Sequence, residues 1–273
     1  MAKTALGMAR VRAEESRRPD RLFDDPYAQA FLAAAPGAFA ADQERATSGG
    51  LARLGAVFFF HGVIRTRFFD DYLIVATAVG CGQVVLLAAG LDTRAFRLAW
   101  PDGVRLFELD LPRLLAFKER VLAAQHAVPR CQRAVLPADL REDWPAVLTT
   151  AGFQPAQPTA WLAEGLLTYL SADQAARLFT TVAELSAPTS QLSFEQGTIA
   201  DTSLLAQARA IPAMDQYTAL WKGGLGTGAS DWLTRHGWQA QSHDRAALAV
   251  AYGRAVPAAS SGGFVTAIRR ARP

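Results

Sequence analysis

The sequence predicts an α/β fold, a doubly wound and mostly parallel sheet with a helical cap ahead of it. Three observations carry that expectation. Between residues 83 and 196, short apolar runs alternate with helical stretches at the spacing of β–α units. The first run, "VVLLAAGLDTRAFRL", ends at Gly90 and passes at once into Asp92, Thr93 and Arg94, the outline of a strand, a tight turn and a helix. Acidic residues then stand at the ends of the following runs: Glu108 and Asp110, Asp139, and Glu164.

Residues 1–80 read as the cap. "RVRAEESRRPDRLFDDPYAQAFLAAAPG" is broken by Pro19 and Pro26; Asp24 or Asp25 is placed to cap a helix starting at Pro26, and Pro36-Gly37 ends it. "FFFHGVIRTRFFDDYLIVATAVGCG" is one long helix closed by Gly80 or Gly82. Strands are expected over 83–88, 104–110, 132–139, 159–165 and 190–196, with helices over 93–100, 111–125, 143–153 and 171–187 between them. Residues 197–235 carry no strand pattern and include the glycine-rich "KGGLGTG", the composition of an inserted helical lid. Two last strands, 238–244 and 262–270, suit an antiparallel pair at the sheet edge. The whole chain, 1–273, therefore reads as one α/β domain.

Composition narrows the partners. With 28 basic and 25 acidic residues the net charge is +3, which offers nucleic acid no broad basic surface. Cys81 and Cys131 lack any paired spacing, so neither a disulfide framework nor a zinc site is expected, and a reducing compartment fits. The first twenty residues lack a signal-peptide core, and no window approaches the roughly 20 apolar residues of a membrane span. A cytoplasmic protein acting on a small molecule or peptide is the expectation; no pattern specifies an oligomeric state.

Ligands of open α/β sheets bind outside the carboxyl ends of the strands. Gly90 there either eases a turn or lines a ligand, and Ala88 stands where such loops often begin G-x-G. Glu108 or Asp110 could bind a ribose diol or cap the helix before Pro112; Asp139 could equally be a cap. Their recurrence at successive strand ends favours a ligand. Phosphate-bearing cofactors need glycine-rich loops or G-x-x-x-x-G-K-[ST], and neither occurs, which also disfavours an NAD-linked oxidoreductase. S-adenosylmethionine has no phosphate, and its carboxylate suits an arginine such as Arg65 or Arg67.

"IRTRFFDDYL", "LLAAGLDTRAFRL", "FELDLPRLLAFKERVL", "PADLREDWPAVL" and "WLAEGLLTYLSADQAARL" follow one another at a recognisable spacing. By them the chain resembles the S-adenosylmethionine-dependent methyltransferases of the leucine carboxyl methyltransferase-like group, especially its bacterial members, over roughly residues 5–270. The resemblance implies a class I methyltransferase (Rossmann-like) fold of seven strands, the last antiparallel, with a helical lid from the N-terminus and an insert. It implies that Arg65 holds the methionine carboxylate, Gly90 lines the methionine part, and Asp110, rather than Glu108, binds the ribose. Asp139 and Leu140 would contact adenine, Glu164 would sit near the ammonium, and Arg12 would match a basic residue of the N-terminal segment. Ala88 departs from the family's G-A-G and bears on cofactor affinity; the poorly matching insert is the region expected to choose the substrate.

A carboxylate acceptor arrives ionised and needs only orientation and partial desolvation, whereas a phenol or alcohol needs a base. None of the four histidines is expected at a ligand-facing strand end, which favours O-methylation of a carboxylate; the resemblance and the unmatched insert imply a tailoring role on a bacterial small molecule or peptide. A hydroxyl acceptor, or a non-catalytic cofactor-binding subunit, are the alternatives. Tyr169 could orient the acceptor oxygen, Lys222 could attract an anion, and Tyr217 and Trp221 could wall an apolar body. Tyr217 and Trp221, four apart, equally fit one buried helix stripe.

Overall fold

The computed structural model describes residues 3–38, 49–196, 222–257 and 262–271. Its centre is a seven-stranded sheet in the order β3-β2-β1-β4-β5-β7-β6. The strands are β1 (Gln83–Leu87), β2 (Arg105–Asp110), β3 (Gln132–Pro137), β4 (Thr159–Ala163), β5 (Gln191–Gln196), β6 (Trp238–Asp244) and β7 (Gly263–Arg269). β1 to β5 pair in parallel, while β7 runs antiparallel to both β5 and β6. The two last strands do pair, but β7 is inserted beside β5 and only β6 forms the edge. Gln196 and Asp244 both register with Gly263, so β5 and β6 finish at the same carboxyl edge.

The helices are α1 (Lys3–Ser16), α2 (Ala28–Ala33), α3 (Gly49–Ala78), α4 (Arg94–Arg97), α5 (Pro112–Ala124), α6 (Trp144–Thr150), α7 (Ala172–Glu184), α8 (Ala229–Arg235) and α9 (Arg245–Ala251). β1 is buried along its whole length, and its alternation feeds two cores. Val84 and Leu86 join Leu6, Phe31, Ile64, Phe69 and Phe117 on the face covered by α1, α2, α3 and α5. Val85 and Leu87 join Trp144, Trp161, Phe179, Leu233 and Trp238 on the face covered by α6, α7 and α8. α8, placed by the sequence in the insert, is thus a core helix; 197–221 lies outside the described residues.

Local chemistry sets the element ends. Asp25 accepts from the Tyr27 and Ala28 amides at 3.0 and 3.2 Å, so α2 begins two residues after Pro26. α3 starts at Gly49, nine residues before the apolar run that announced it, and Gly80 (φ +115°) turns the chain out of it. The expected helix over 93–100 shrinks to α4, because the Trp100 indole turns back to donate to the Arg94 carbonyl and Pro101 follows. Ser171 and Gln174 form a reciprocal capping box on α7. Strands end one or two residues early at β1, β3 and β4, releasing 88, 138–139 and 164–165 into loops. Cys81 and Cys131 are free thiols, each pushed by burial up to about 11. Past α9, Arg254 closes back on the cap, 2.5 Å from both the Glu15 and the Asp20 carboxylates.

Candidate functional site

The loop after β1 folds as an S-shaped bend. Ala88 (φ +58°) and Gly90 (φ +53°) are both left-handed, and between them the Ala89 amide donates to the Leu109 carbonyl at 2.9 Å. The bend aims the Gly90 amide at Asp110 Oδ2, 2.6 Å away, and Leu111 N donates to Oδ1 at 2.6 Å. Burial raises the Asp110 pKa above the usual carboxylate value despite these two amides. Each oxygen keeps a further lone pair, the arrangement that a vicinal diol requires. Space exists above Gly90, where an added Cβ would meet nothing closer than 3.9 Å. Ala88 carries the left-handed conformation that glycine adopts without strain. Ala88→Gly is therefore expected to raise stability by about 0.5–1 kcal/mol without weakening the cofactor, to be checked by thermal melts and calorimetry.

Glu108, on the same strand end, is committed elsewhere. It is fully buried, with Lys118 Nζ at 2.6 Å and Arg133 Nη2 at 2.8 Å. The two acids that the sequence left open are thereby separated. Arg65 and Arg67 separate too: Arg67 pairs with Asp71 at 3.0 Å over the Tyr252 ring, away from the strand ends.

Arg65 lies between two carboxylates, Nε 2.9 Å from Glu164 and Nη1 2.9 Å from Glu195. Glu164 also accepts from Arg94 Nη1 at 2.7 Å, and Arg94 reaches Asp92 and Asp70, the latter at 2.6 Å. Asp70 in turn takes both Arg97 nitrogens at 2.6 and 2.7 Å. Burial would raise the Asp92 carboxyl, but the Arg94, Lys118 and Arg97 charges hold it down at about 2. Glu164 is likewise lowered, against burial, by Arg94 and Arg65. These acids are anions of low basicity. Arg12, far off in sequence, sits under the same loop: Nε pairs with Asp25 at 2.7 Å and Nη2 donates to the Leu91 carbonyl at 2.7 Å.

Asp139 lies in the loop after β3, where its side-chain hydrogen bond from Arg141 lowers its pKa to about 2. Arg141 is largely exposed, so the pair contributes little to stability. Leu140 packs half-buried against the second core. Tyr169 lies in a tight turn, Leu167–Tyr169, and its phenol is near enough to Arg65 to bear on that charge. The exposed Lys222 belongs to a strap across this turn: its amide donates to the Thr168 carbonyl at 2.7 Å and the Gly224 amide to the Leu170 carbonyl at 2.9 Å. Tyr217 and Trp221 lie outside the described residues. Gly224 is left-handed (φ +54°), and a Cβ there would fall 2.9 Å from the Leu167 carbonyl. Gly224→Ala should lower turnover several-fold while leaving S-adenosylhomocysteine affinity within about twofold, a split that calorimetry beside rate measurement detects.

The structure adds residues that the sequence reading did not name. Glu195 is the penultimate residue of the fifth strand run and could have been taken as one more strand-end acid. Arg245 and Asp70 gave no such signal. One expectation is corrected: His243 is the penultimate residue of β6, at the carboxyl edge, with Nε2 2.8 Å from Thr266 Oγ1. His61, within α3, reaches the same end, 3.3 Å from Arg245 Nη1. α9 packs on β6 and β7, and Phe68 of α3 stacks on Phe264 of β7 and meets the His243 ring.

The donor set fits S-adenosylmethionine: a diol acceptor at Asp110, open space at Gly90, and an arginine–glutamate pair at Arg65 and Glu164. The family model for leucine carboxyl methyltransferase matches residues 5–183. A protein from Frankia alni carried as a candidate S-adenosyl-L-methionine-dependent methyltransferase is 55% identical, over 98% of this chain and 94% of its own. Another of that description from Streptomyces coelicolor is 44% identical over 98% and 95%. Among solved structures, a protein of the duf574 family from Streptomyces avermitilis superposes with TM-score 0.61 at 13% identity, covering 89% of this chain and 96% of that one. Magnesium protoporphyrin IX methyltransferase from Synechocystis, solved with bound SAH, gives 0.52 at 13% identity over 87% and 96%. These two likenesses speak for the fold alone, which is the class I methyltransferase fold. The chain belongs to the leucine carboxyl methyltransferase family, and it is an S-adenosylmethionine-dependent methyltransferase.

Proposed function

We propose that the enzyme is an O-methyltransferase that esterifies a carboxylate of a bacterial small molecule or peptide. The observation that carries this reading is the ionisation of its strand-end acids. Asp92 and Glu164 are clamped as anions by arginines and take up protons poorly near neutrality. An acceptor that arrives already ionised suits such an end; one that must lose a proton does not.

Bound S-adenosylmethionine supplies a methyl group on a sulfonium, already activated for in-line displacement. In this reading Asp110 receives the ribose hydroxyls, Arg65 the methionine carboxylate, and Glu164 the ammonium. Asp139 and Leu140 border the adenine, Gly90 and Ala88 floor the methionine, and Arg12 holds that floor through the Leu91 carbonyl. Tyr169 orients the acceptor oxygen and Lys222 draws an anion in; Tyr217 and Trp221, outside the described residues, remain the candidates for contact with its apolar body. Catalysis then rests on alignment and exclusion of water, and alignment can contribute about 7–11 kcal/mol.

A hydroxyl acceptor is the second reading, favoured by His243. Burial lowers its pKa, so it stays neutral and able to accept a proton. The test is incubation with a host metabolite extract and methyl-labelled S-adenosylmethionine. A base-labile product supports a methyl ester; a base-stable one moves the assignment to a hydroxyl. Among the described residues, no helix is long and apolar enough to cross a membrane.

A further inference from the structure

In the reading above Arg65 receives the methionine carboxylate, which requires its guanidinium to be held at one angle. Two carboxylates stand beside that guanidinium, and they hold it differently. Nε lies 2.9 Å from Glu164, yet among the described residues this buried nitrogen has no hydrogen-bond partner. The contact with Glu164 is one of charge, since its N–H is out of line with the oxygen. Nη1, by contrast, donates to Glu195 Oε2 at 2.9 Å, a directed bond. Glu195 therefore sets the plane of the guanidinium, and Glu164 does not.

Glu195 is suited to that task by its place in the sheet. It is the penultimate residue of β5, a strand flanked by β4 and β7, and it registers with Phe264 of β7. Its backbone is thus fixed from both sides. Arg65 comes from α3, 130 positions earlier, so the bond ties that helix to the carboxyl end of the sheet. On the far side of the acid, Arg245 Nη2 stands 3.8 Å from Oε1. The left-handed turn at Gly165 (φ +64°) borders the guanidinium, where a Cβ would lie 3.5 Å from Nη1. Burial would lower the Arg65 pKa, but the Glu195 charge, and then that of Glu164, raise it. A planar donor already held at its binding angle loses little freedom when its ligand arrives.

We propose that Glu195 is a positioning residue: from β5 it fixes the plane in which Arg65 receives the methionine carboxylate of the cofactor. This inference rests on the assignment of Arg65 to that carboxylate.

Two probes test it. S-adenosylhomocysteine carries the carboxylate, whereas methylthioadenosine has the same adenosine and sulfur without the amino-acid part. Calorimetry measures both on wild type, Glu195→Ala, Glu195→Gln, Arg65→Ala and the double variant. In Glu195→Ala, S-adenosylhomocysteine affinity should fall about 10-fold while methylthioadenosine affinity stays within about twofold. Glu195→Gln, which keeps an acceptor oxygen, should recover part of the loss. Adding Glu195→Ala to Arg65→Ala should cost S-adenosylhomocysteine little more than Arg65→Ala alone, because the two residues act as a unit. Equal losses for both probes in Glu195→Ala and Glu195→Gln would reduce Glu195 to a packing residue and overturn the proposal. So would unchanged or tighter S-adenosylhomocysteine binding in Glu195→Ala, since the acid would then compete for Arg65 rather than aim it. Full S-adenosylhomocysteine affinity in Arg65→Ala is a different result, since it removes the Arg65 assignment itself and the proposal with it.

Discussion

Replacing Arg94 by methionine lowers the melting temperature by about 10 °C. Arg94 is 3% exposed and joins Asp70, Asp92 and Glu164, so methionine fills the volume but strands three carboxylates around an apolar chain. Breaking a buried pair by removing one partner costs about 3–5 kcal/mol. For a chain of this size each kcal/mol moves the midpoint by about 2–4 °C. The sign with pH is fixed by the acids. Asp92 is depressed to about 2 in the folded protein, so its contribution is present above the unfolded value near 4 and disappears as pH falls towards 2. Without Arg94 the stranded acids take up protons more readily, and the gap between variant and wild type narrows as pH falls through about 4. Scanning calorimetry from pH 7 to pH 3 measures this. A gap that stays constant would mean that packing, not charge, makes Arg94 important. Arg94→Lys, which restores charge without the fork, should recover only part of the stability.

Asp110→Ala weakens S-adenosylmethionine binding by about 100-fold or more. A hydrogen bond to a charged acceptor contributes about 1.5–3 kcal/mol, and the ribose offers two hydroxyls. The alanine variant also leaves the Gly90 and Leu111 amides without the oxygens that they hold at 2.6 Å, which loosens the loop under the cofactor. Asp110→Asn, with one oxygen, should fall between alanine and wild type. Because burial raises the Asp110 pKa, binding should weaken on acidification sooner than an ordinary aspartate would cause. Titrations with S-adenosylhomocysteine at pH 7.5 and 5, beside melts without ligand, separate affinity from folding. A loss below about fivefold in a folded Asp110→Ala protein would take the ribose away from Asp110.

The sheet and its order of β–α units were legible because buried parallel strands are written as unbroken apolar runs, as in Gln83–Leu87. Boundaries were less so. The start of α3 at Gly49 carries no apolar signal, and α4 was cut short by a Trp100 contact that no periodicity reveals. The recurring strand-end acids were visible as a set, yet not their division of labour. Glu108 and Asp110 share a strand and a residue class; only the approach of Lys118 and Arg133 commits one of them to an ion cluster. The same holds for Arg65 and Arg67, two positions apart on α3. Arg245 was invisible for a plainer reason: its neighbours Glu195, His61 and Phe264 come from three distant segments.

Arg254 clasps Glu15, a residue 239 positions earlier, together with Asp20. The clasp gives the chain an order of assembly. At about 5–20 residues per second of synthesis, Glu15 is made roughly 12–48 s before Arg254 exists to meet it. Arg12 ties α1 to Asp25 and the Leu91 carbonyl early, so the clasp is the last of its contacts to form. On nascent chains the Glu15 end of α1 should remain open to protease after β1 to β5 have formed, and it should close only when Arg254 arrives.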